Sequence, residues 1–507
     1  MSVHPVLADL IARAREARDQ ARWSECEALA ALGFREALFW GQDRHVPDFL
    51  NLLGAVAFQR GEMERAGQRF GEALHAVSHD PSRRAAALVN LGSVANVQGR
   101  FDEALELYRR GRRSYREAGN PLGQARALHN MGMLLADRKR WHRSEWCYRM
   151  ARELAASGED PLLLGTLALN ASEVYLQVGE VTRALEACDE ACLRLTALGA
   201  IPGVADAHRR YGEIFRRKGD PRSARRHLRI GARMARRVGS PLPEAEALRE
   251  LGGLEAEGGF HDKALWCYGR ALRLFRSLDA GHELADSVII DIVEVIGRQV
   301  ERSDPLLFGH CSRVAQYGAA VAAELGMDGE AVKSVLVAGY LHDLGKLRID
   351  PAILAKPGLL SPDERRIVSR HTTLGAQYLA RFDLPWDIPS IVRAHHEEYS
   401  GHGYPDGLAG EAIPLTSRVL HVADVYDALT STRPWRPAWT RQKALAYIAG
   451  AAGRSFDPRV VEAFLRVVGP ASLGGDGRGE SGAEPAIVRP MPIREALVAI
   501  PLAHRAA

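Results

Sequence analysis

Residues 91–108 read LGSVANVQGRFDEALELY, and the pattern in this stretch decides the fold of the first half of the chain. Its glycines at 92 and 99, its alanine at 104 and its tyrosine at 108 recur along the sequence in the same order. The first of these positions is filled in turn by Gly54, Gly92, Gly132, Ser172, Gly212 and Gly252. From Gly92 onward the spacing is 40 residues. A fixed period of this length predicts a stack of similar structural units.

Each recurring position has a physical role in a pair of helices. The first Gly or Ser lets the two helices approach closely. The second position lies where one helix ends and the chain must turn, and it is filled by Gly61, Gly99, Lys139, Gly179, Gly219 and Gly259. A small residue then packs where the two helices cross, at Ala66, Ala104, Ser144, Ala184, Ala224 and Ala264. An aromatic ring fills the groove against the next repeat, at Phe70, Tyr108, Tyr148 and Tyr268.

A second recurring signal marks the start of each repeat. Proline at 81, 121, 161 and 241 follows Asp, Asn, Asp and Ser, respectively. These are residues that cap helices, followed by proline at the first helical position. In the fifth repeat the proline is displaced to Pro202.

The pattern resembles the tetratricopeptide repeat, in a 40-residue variety, over about residues 40–280 of a domain covering 1–280. The resemblance implies an all-α solenoid whose concave face binds a protein or peptide partner. A scaffold for homodimerisation is the alternative. Residues 209–237 hold twelve Arg and Lys against two acidic residues. This charge fits either a solvated helix face or an acidic partner.

Composition narrows the remaining classes. The 507 residues allow two or three domains, and a formal charge of +4 on so long a chain does not indicate binding to a nucleic-acid polymer. The six cysteines are scattered without a CxxC pair, as expected in a reducing cytosol. The first twenty residues lack the apolar core of a signal peptide, and no stretch is long and apolar enough for a membrane span. We therefore expect a soluble, cytoplasmic protein.

The second half carries the chemistry, because polar residues stop repeating after residue 300 and begin to cluster. Five segments stand out: FGHCSRVA, YLHDLGKLRID, SRHTTLG, RAHHEEYSGHGYPDGL and HVADVYDALTSTRPWR. Imidazole and carboxylate ligands together suit Fe, Mn or Zn, and a bridging carboxylate can hold two such ions. An earlier His-Asp pair, His261-Asp262, lies inside a repeat without this company and carries no prediction.

The order and spacing of these segments resemble the HD-GYP family, a branch of the HD superfamily of metal-dependent phosphohydrolases, over about residues 303–470. The resemblance implies an all-helical phosphodiesterase that hydrolyses cyclic di-GMP to linear pGpG or GMP with two divalent ions, Fe or Mn. The two ions would lower the pKa of a shared water, and the resulting hydroxide would attack phosphorus.

Residue by residue, the resemblance implies metal ligands at His310, His342, Asp343, His371, His395, His396 and Asp424. Asp343 would bridge the two ions and act in catalysis together with Lys346. The residues implied to contact substrate are Lys346, Asp427, Arg433 and Arg436. Gly403, Tyr404 and Pro405 form the loop that gives the family part of its name, implied to shape the substrate side and to engage partner domains.

Two positions depart from the family pattern. Leu306 stands where some members have a Glu that holds a third metal, which favours two ions. Tyr399-Ser400-Gly401 replaces the usual Trp-Asp-Gly, which would change the hydrogen bonding of the loop. The alternatives are a catalytically silent cyclic-dinucleotide receptor or adaptor, hydrolysis of a mixed GMP–AMP cyclic dinucleotide, and hydrolysis of another phosphoester.

Two connecting segments complete the sequence. Residues 281–302 keep helical periodicity, and we expect a helix that caps the solenoid and leads into the second domain. Residues 471–507 begin with a Gly-rich, charged stretch, which is typical of a flexible tail.

Overall fold

The computed structural model describes residues 5–20, 22–77, 79–156, 160–278, 282–303, 305–356, 358–432 and 436–469, with 492–493 and 495–496 near the C-terminus. The chain divides into two compact units, Met1–Pro243 and Glu244–Ala507. Within the described ranges all regular structure is helical, apart from two isolated β-bridges. The predicted all-α fold is confirmed.

The first unit is a succession of antiparallel helix pairs, most of them 17 residues per helix. Its helices are α1 Pro5–Asp19, α2 Trp23–Phe39, α3 Val46–Gln59, α4 Met63–Ala76, α5 Pro81–Val97, α6 Phe101–Glu117, α7 Pro121–Asp137, α8 Trp141–Ala156, α9 Pro161–Gln177, α10 Val181–Ala197, α11 Ile201–Arg217 and α12 Pro221–Arg237. From α1 to α12, consecutive helices along the chain pack on each other.

The recurring glycine brings the two helices of a pair together. A Cβ atom added at Gly92 on α5 would lie 2.7 Å from the ring of Tyr108 on α6. Gly132 and Tyr148 make the same contact between α7 and α8. The aromatic ring thus occupies the hollow left by the glycine of its own pair. The prediction that the ring faces the next repeat missed this contact.

The turn positions and the small residues behave as predicted. Gly61, Gly99, Gly179, Gly219 and Gly259 all have positive φ, and Lys139 adopts the same conformation at φ 55°. Among the described residues Lys139 is the one non-glycine residue with positive φ. The small residues of the crossing are fully buried at Ala66, Ala104, Ser144, Ala184, Ala224 and Ala264.

The predicted caps are present at three repeat starts. The side chains of Asp80, Asn120 and Asp160 accept hydrogen bonds from backbone N–H groups in the first turns of α5, α7 and α9. These N–H groups have no partner within the helix, so each cap stabilises a helix start.

The second unit holds the remaining helices, and α13 (Pro241–Glu257) crosses the division between the units. They are α14 His261–Arg276, α15 His282–Ser303, α16 Pro305–Glu324, α17 Gly329–Leu341, α18 Pro351–Leu354, α19 Pro362–Ser369, α20 His371–Leu379, α21 Ile388–Arg393, α22 Leu415–Thr430, α23 Arg441–Gly450 and α24 Pro458–Val468. Short 3₁₀ segments lie at Asp43–His45, Leu344–Arg348 and Gly410–Ala412.

Close helix approaches in this unit position the polar cluster. A Cβ atom at Gly339 on α17 would lie 2.4 Å from the Cα atom of Ala315 on α16. One at Gly345, in the 3₁₀ segment Leu344–Arg348, would lie 1.9 Å from the carbonyl oxygen of His371. These two glycines therefore bring α16, the end of α17 and the start of α20 to one place.

None of the described helices has the length and apolar composition that crossing a membrane requires. Helix α15 occupies the segment expected to connect the domains. The predicted domain limits of 1–280, 281–302 and 303–470 stay predictions. The predicted tail at 471–507 lies outside the described residues, except for the four named above.

Candidate metal centre

Four of the clustered histidines come from three places in the fold, and three of them are held in the same way. His342 follows α17, His371 begins α20, and His395 with His396 follows α21. In the first three of these, Nδ1 lies 2.6–2.7 Å from the backbone carbonyl three residues earlier, at Gly339, Val368 and Val392. Nδ1–H must donate there, which leaves the lone pair of Nε2 free. This arrangement orients imidazoles for a metal ion.

The free Nε2 atoms face one carboxylate from two sides. Asp343 Oδ1 lies 3.3 Å from Nε2 of His371. Asp343 Oδ2 lies 3.4 Å from Nε2 of His342 and 3.8 Å from Nε2 of His310. The two oxygens of a single buried carboxylate thus point at different groups of imidazoles, as a bridging ligand must.

His310 on α16 is held differently, by two aspartates of α22. Its Nδ1 lies 2.7 Å from Asp427 Oδ2, and its Nε2 lies 3.0 Å from Asp424 Oδ1. Asp427 also accepts hydrogen bonds from Arg313, at 2.5 Å and 3.0 Å. Both ring nitrogens of His310 therefore lie within 3.0 Å of a carboxylate oxygen.

Burial and charge set the protonation of the cluster. Burial lowers the pKa of His371, lowers that of His395 well below its usual range, and lowers that of His396 to about 3. Burial alone would lower the pKa of His310, but its hydrogen bonds to the two aspartates raise it to about 9. The first three imidazoles are therefore neutral at pH 7 and able to ligate, whereas His310 would exchange a proton for a cation.

The carboxylates of Asp343 and Asp424 stay ionised beside these imidazoles. Burial alone would raise the pKa of Asp343, but Lys346 and the surrounding imidazoles lower it well below its ordinary value. Burial alone would raise the pKa of Asp424 as well, but its hydrogen bond with His310 lowers that pKa well below the ordinary value. Neutral imidazoles beside ionised carboxylates are the donor set that Fe, Mn or Zn prefers.

Two observations show that this donor set fits metal ions. His342 Nε2 and Asp343 Oδ1 are buried without a hydrogen-bond partner, and such groups are costly unless something binds them. Three sets of donor atoms each lie within 4.8 Å of one another: His371, His395 and His396; His310, His342 and Asp343; and His342, His395 and Asp424. The predicted ligands are thus brought together, and the identity of the metal stays a prediction.

Lys346 lies at the edge of this cluster. Its Nζ is 2.5 Å from Asp343 Oδ2, and 23% of its side chain is exposed to solvent. Burial would lower the pKa of Lys346, but the Asp343 carboxylate raises it above its usual value. The ammonium group is therefore charged and within reach of a solute.

The loop at Gly403, Tyr404 and Pro405 packs directly on the cluster. The ring of Tyr404 lies 5.0 Å from that of His396, and its backbone N–H donates to the His396 carbonyl at 3.2 Å. A Cβ atom at Gly403 would lie 2.2 Å from the backbone nitrogen of Glu398, so only glycine fits there. The loop closes one side of the donor set.

Three predicted contacts with substrate have a different standing. Arg433 lies outside the described residues. The side chain of Leu306, the position that bears on the number of metal ions, also lies outside them. Arg436 donates to the carbonyl of Ala428 at 2.7 Å, at the end of α22. Asp427 is 2% exposed and fully engaged by His310 and Arg313. Contact of Arg436 with substrate stays a prediction, and we propose that Asp427 positions His310.

Sequence reasoning did not assign three residues that support the site. Arg313 follows His310 by one turn of α16 and holds Asp427. Glu397 accepts hydrogen bonds from the backbone N–H groups of Asp406, Gly407 and Leu408, which fixes the loop. His421 lies one turn before Asp424, and its Nδ1 is 2.9 Å from the His395 carbonyl. Arg313 and His421 each stand three residues from a predicted site residue on the same helix, and this spacing could have indicated them.

Two known families match different parts of the chain. Residues 294–460 match the family described as HD domain, and residues 46–117 and 83–157 match tetratricopeptide repeats. The chain therefore contains an HD domain that follows tetratricopeptide repeats. The combination predicted from the motifs is confirmed.

Three relatives share the second half of the chain. The cyclic di-GMP phosphodiesterase response regulator RpfG of Xanthomonas campestris is 41% identical over 201 residues, which cover 39% of this chain and 53% of RpfG. A cyclic di-GMP phosphodiesterase of Thermotoga maritima is 35% identical, covering 36% and 50%. The 3'3'-cGAMP-specific phosphodiesterase 3 of Vibrio cholerae is 35% identical, covering 36% and 40%. The chain thus spans about half the length of these relatives, or less.

Proposed function

We propose that this protein is a metal-dependent phosphodiesterase that opens a cyclic dinucleotide, with cyclic di-GMP as the substrate. The observation that carries the proposal is the placement of Asp343, whose two oxygens face His371 on one side and His342 on the other. A carboxylate held in this way suits a pair of cations better than a single one.

The chain's own residues divide the work. His342, His371, His395, His396, Asp343 and Asp424 would hold the two ions, with His310 joining once its proton is displaced. Bound cations would lower the pKa of a water molecule and offset negative charge on the phosphate. Lys346 adds a positive charge at the exposed edge of the cluster, where a phosphate oxygen gains charge.

Substrate identity rests on the relatives. Two of the three relatives described above are named for cyclic di-GMP and one for 3'3'-cGAMP. RpfG has the highest identity of the three at 41%, and the other two are equal at 35%, so cyclic di-GMP is the substrate that we propose. We also propose a cytoplasmic location, where such a substrate would be met.

The test is turnover by the full chain loaded with Mn²⁺ or Fe²⁺. Cyclic di-GMP and 3'3'-cGAMP are supplied separately, and linear products are resolved by chromatography. We expect linear pGpG or GMP from cyclic di-GMP, at a higher rate than product from 3'3'-cGAMP. Faster turnover of 3'3'-cGAMP would reassign the substrate, and tight binding without product would favour a receptor.

A pair of lysine variants sharpens this assay. Lys346→Met removes the charge beside Asp343, and we expect turnover to fall by on the order of 100-fold. Lys356→Met is the matched control. Lys356 lies away from the cluster and forms an ion pair with Glu364 at 2.7 Å. Equal rates in the two variants would remove Lys346 from the reaction.

For the tetratricopeptide repeats we propose binding of a protein or peptide that regulates turnover. The repeats' family supports a role in protein contact, and homodimerisation is the alternative. Light scattering of the full chain distinguishes the two, because a dimer scaffold predicts twice the chain's mass of 55.5 kDa without any partner.

A further inference from the structure

A large cleft lies in the second unit, separate from the metal centre. It has a volume of about 890 Å³, within the range of sites that hold a nucleotide-sized molecule. Its walls come from α14, α15, the 3₁₀ segment Leu344–Arg348, α19 and α20. None of the predicted metal ligands lines it.

The cleft is strongly basic. Four arginines line it: Arg302 on α15, Arg348 in the 3₁₀ segment, Arg370 between α19 and α20, and Arg381 after α20. Asp262 is the one carboxylate among the lining residues, which are all described. Within the described part of the chain, no carboxylate lies within ion-pair distance of any of the four guanidinium groups. The positive charge is therefore available to a ligand.

Two further donors in the wall lack a partner. Arg302 donates to Nε2 of His261 at 3.2 Å, and a guanidinium can only donate. Nδ1 of His261 must then carry the hydrogen, and this atom is buried without a partner. The side-chain nitrogen of Gln299 is likewise buried and unpartnered. Buried donors without acceptors are rare, but both atoms have almost no exposed surface, so the groups that a ligand in the cleft would meet are the arginines.

We propose that this cleft is a second binding site, separate from the metal centre, for a small molecule that carries several phosphate groups. The lining supplies four guanidinium groups against a single carboxylate. A ligand that complements it must be rich in acceptors and carry several negative charges. Phosphate oxygens meet both needs, because guanidinium groups bind them with paired hydrogen bonds.

The position of the site links it to the metal centre. The 3₁₀ segment Leu344–Arg348 follows Asp343 directly and contains Lys346. Leu344, Gly345, Leu347 and Arg348 of this segment form one wall of the cleft. A phosphate bound by Arg348 would therefore contact the same segment that carries Lys346. The site is thus suited to regulate turnover, although its occupancy does not depend on turnover.

Calorimetric titration of the full, metal-loaded chain tests the site. GTP and inorganic tripolyphosphate are the two probes, because they share phosphates and differ in the nucleoside. We expect saturable binding of at least one, weakened at least about tenfold in Arg302→Gln/Arg348→Gln. Tighter binding of GTP would identify a nucleotide, and equal binding an inorganic polyphosphate.

A charge-matched variant separates this site from general attraction and from the metal ions. Arg365→Gln/Arg366→Gln removes two exposed arginines of α19 that do not line the cleft, and we expect wild-type affinity. Equal affinity in both double variants would overturn the proposal, as would binding of neither probe. So would binding of a polyglutamate peptide when both phosphate probes fail. The readout is binding, so failure of the proposed hydrolysis leaves this test intact.

Discussion

The repeats and the metal centre are built by opposite rules. In the repeats, Gly92 meets Tyr108 of the same helix pair, and the arrangement recurs with each repeat. In the metal centre, His310 meets Asp427, 117 residues further along the chain. Periodic local packing tolerates variation in any one repeat, whereas a convergent site depends on every member. Substitutions should therefore have larger effects in the second region than in the first.

The largest effect is expected at the bridging carboxylate. Asp343→Asn removes the negative charge shared by the two groups of imidazoles, and we expect turnover of cyclic di-GMP to fall by on the order of 1,000-fold. Asp363→Asn, an exposed substitution on α19, serves as the control. Wild-type rates in Asp343→Asn would break the comparison at its strongest point.

A smaller effect is expected one step away from the ligands. Asp427→Asn weakens the hold on His310, and loss of such a partner lowers metal affinity by about 10- to 100-fold. Metal affinity is measured by competition with a chelator of known strength. A positioning role predicts that turnover recovers at saturating metal. Turnover that stays low at full occupancy would instead place Asp427 in contact with substrate.

Within the repeats, one added methyl group should cost moderate stability. Gly92→Ala forces a Cβ atom against the ring of Tyr108, and overpacking of this kind costs roughly 1–3 kcal/mol. Gly71 on α4 has open space around it, so Gly71→Ala should stabilise by about 0.5–1 kcal/mol. Urea unfolding measures both free energies, and equal signs would contradict the packing account.

A histidine outside the metal centre provides a comparison in pH. Burial lowers the pKa of His129 to about 4, from an ordinary value near 6.5. The unfolded chain therefore takes up the proton first as the pH falls, and the stability present above pH 6.5 is lost towards pH 4. Between pH 7 and pH 5 the wild type should lose roughly 1–2 kcal/mol more than His129→Gln. Parallel losses in urea unfolding would show that His129 is not desolvated.

The last expected effect is a small gain in stability. Lys139 holds a left-handed conformation, at φ 55°, where the other repeats have glycine. Lys139→Gly should relieve about 1 kcal/mol of strain. Gly99→Ala at the equivalent turn should lose a similar amount, and the two unfolding midpoints should move in opposite directions.

Periodicity made the repeats predictable in detail. Turn glycines, caps and crossing residues follow from local rules, so the exception at Lys139 could also be located from sequence. The facing of Tyr108 against Gly92 could not, because spacing alone does not say which groove a ring enters. That choice depends on how two helices cross in three dimensions.

The metal centre was predictable as a set of residues and not as an arrangement. The motifs named the ligands, but spacing within a motif does not show that Oδ1 of Asp343 faces His371. The burial of Asp427 and its pairing with Arg313 depend on contacts between helices far apart in sequence. The basic cleft could not be predicted for the same reason, since His261 and Arg348 belong to no common motif.

The most direct test of the central claim is the metal content of the full chain. Protein loaded anaerobically with Fe²⁺ or Mn²⁺ and freed of excess metal is measured by elemental analysis, beside Asp343→Asn. Convergence of these ligands predicts two ions per chain, and fewer than two in the variant. A wild-type chain that binds no metal, or a variant that keeps both ions, would contradict it.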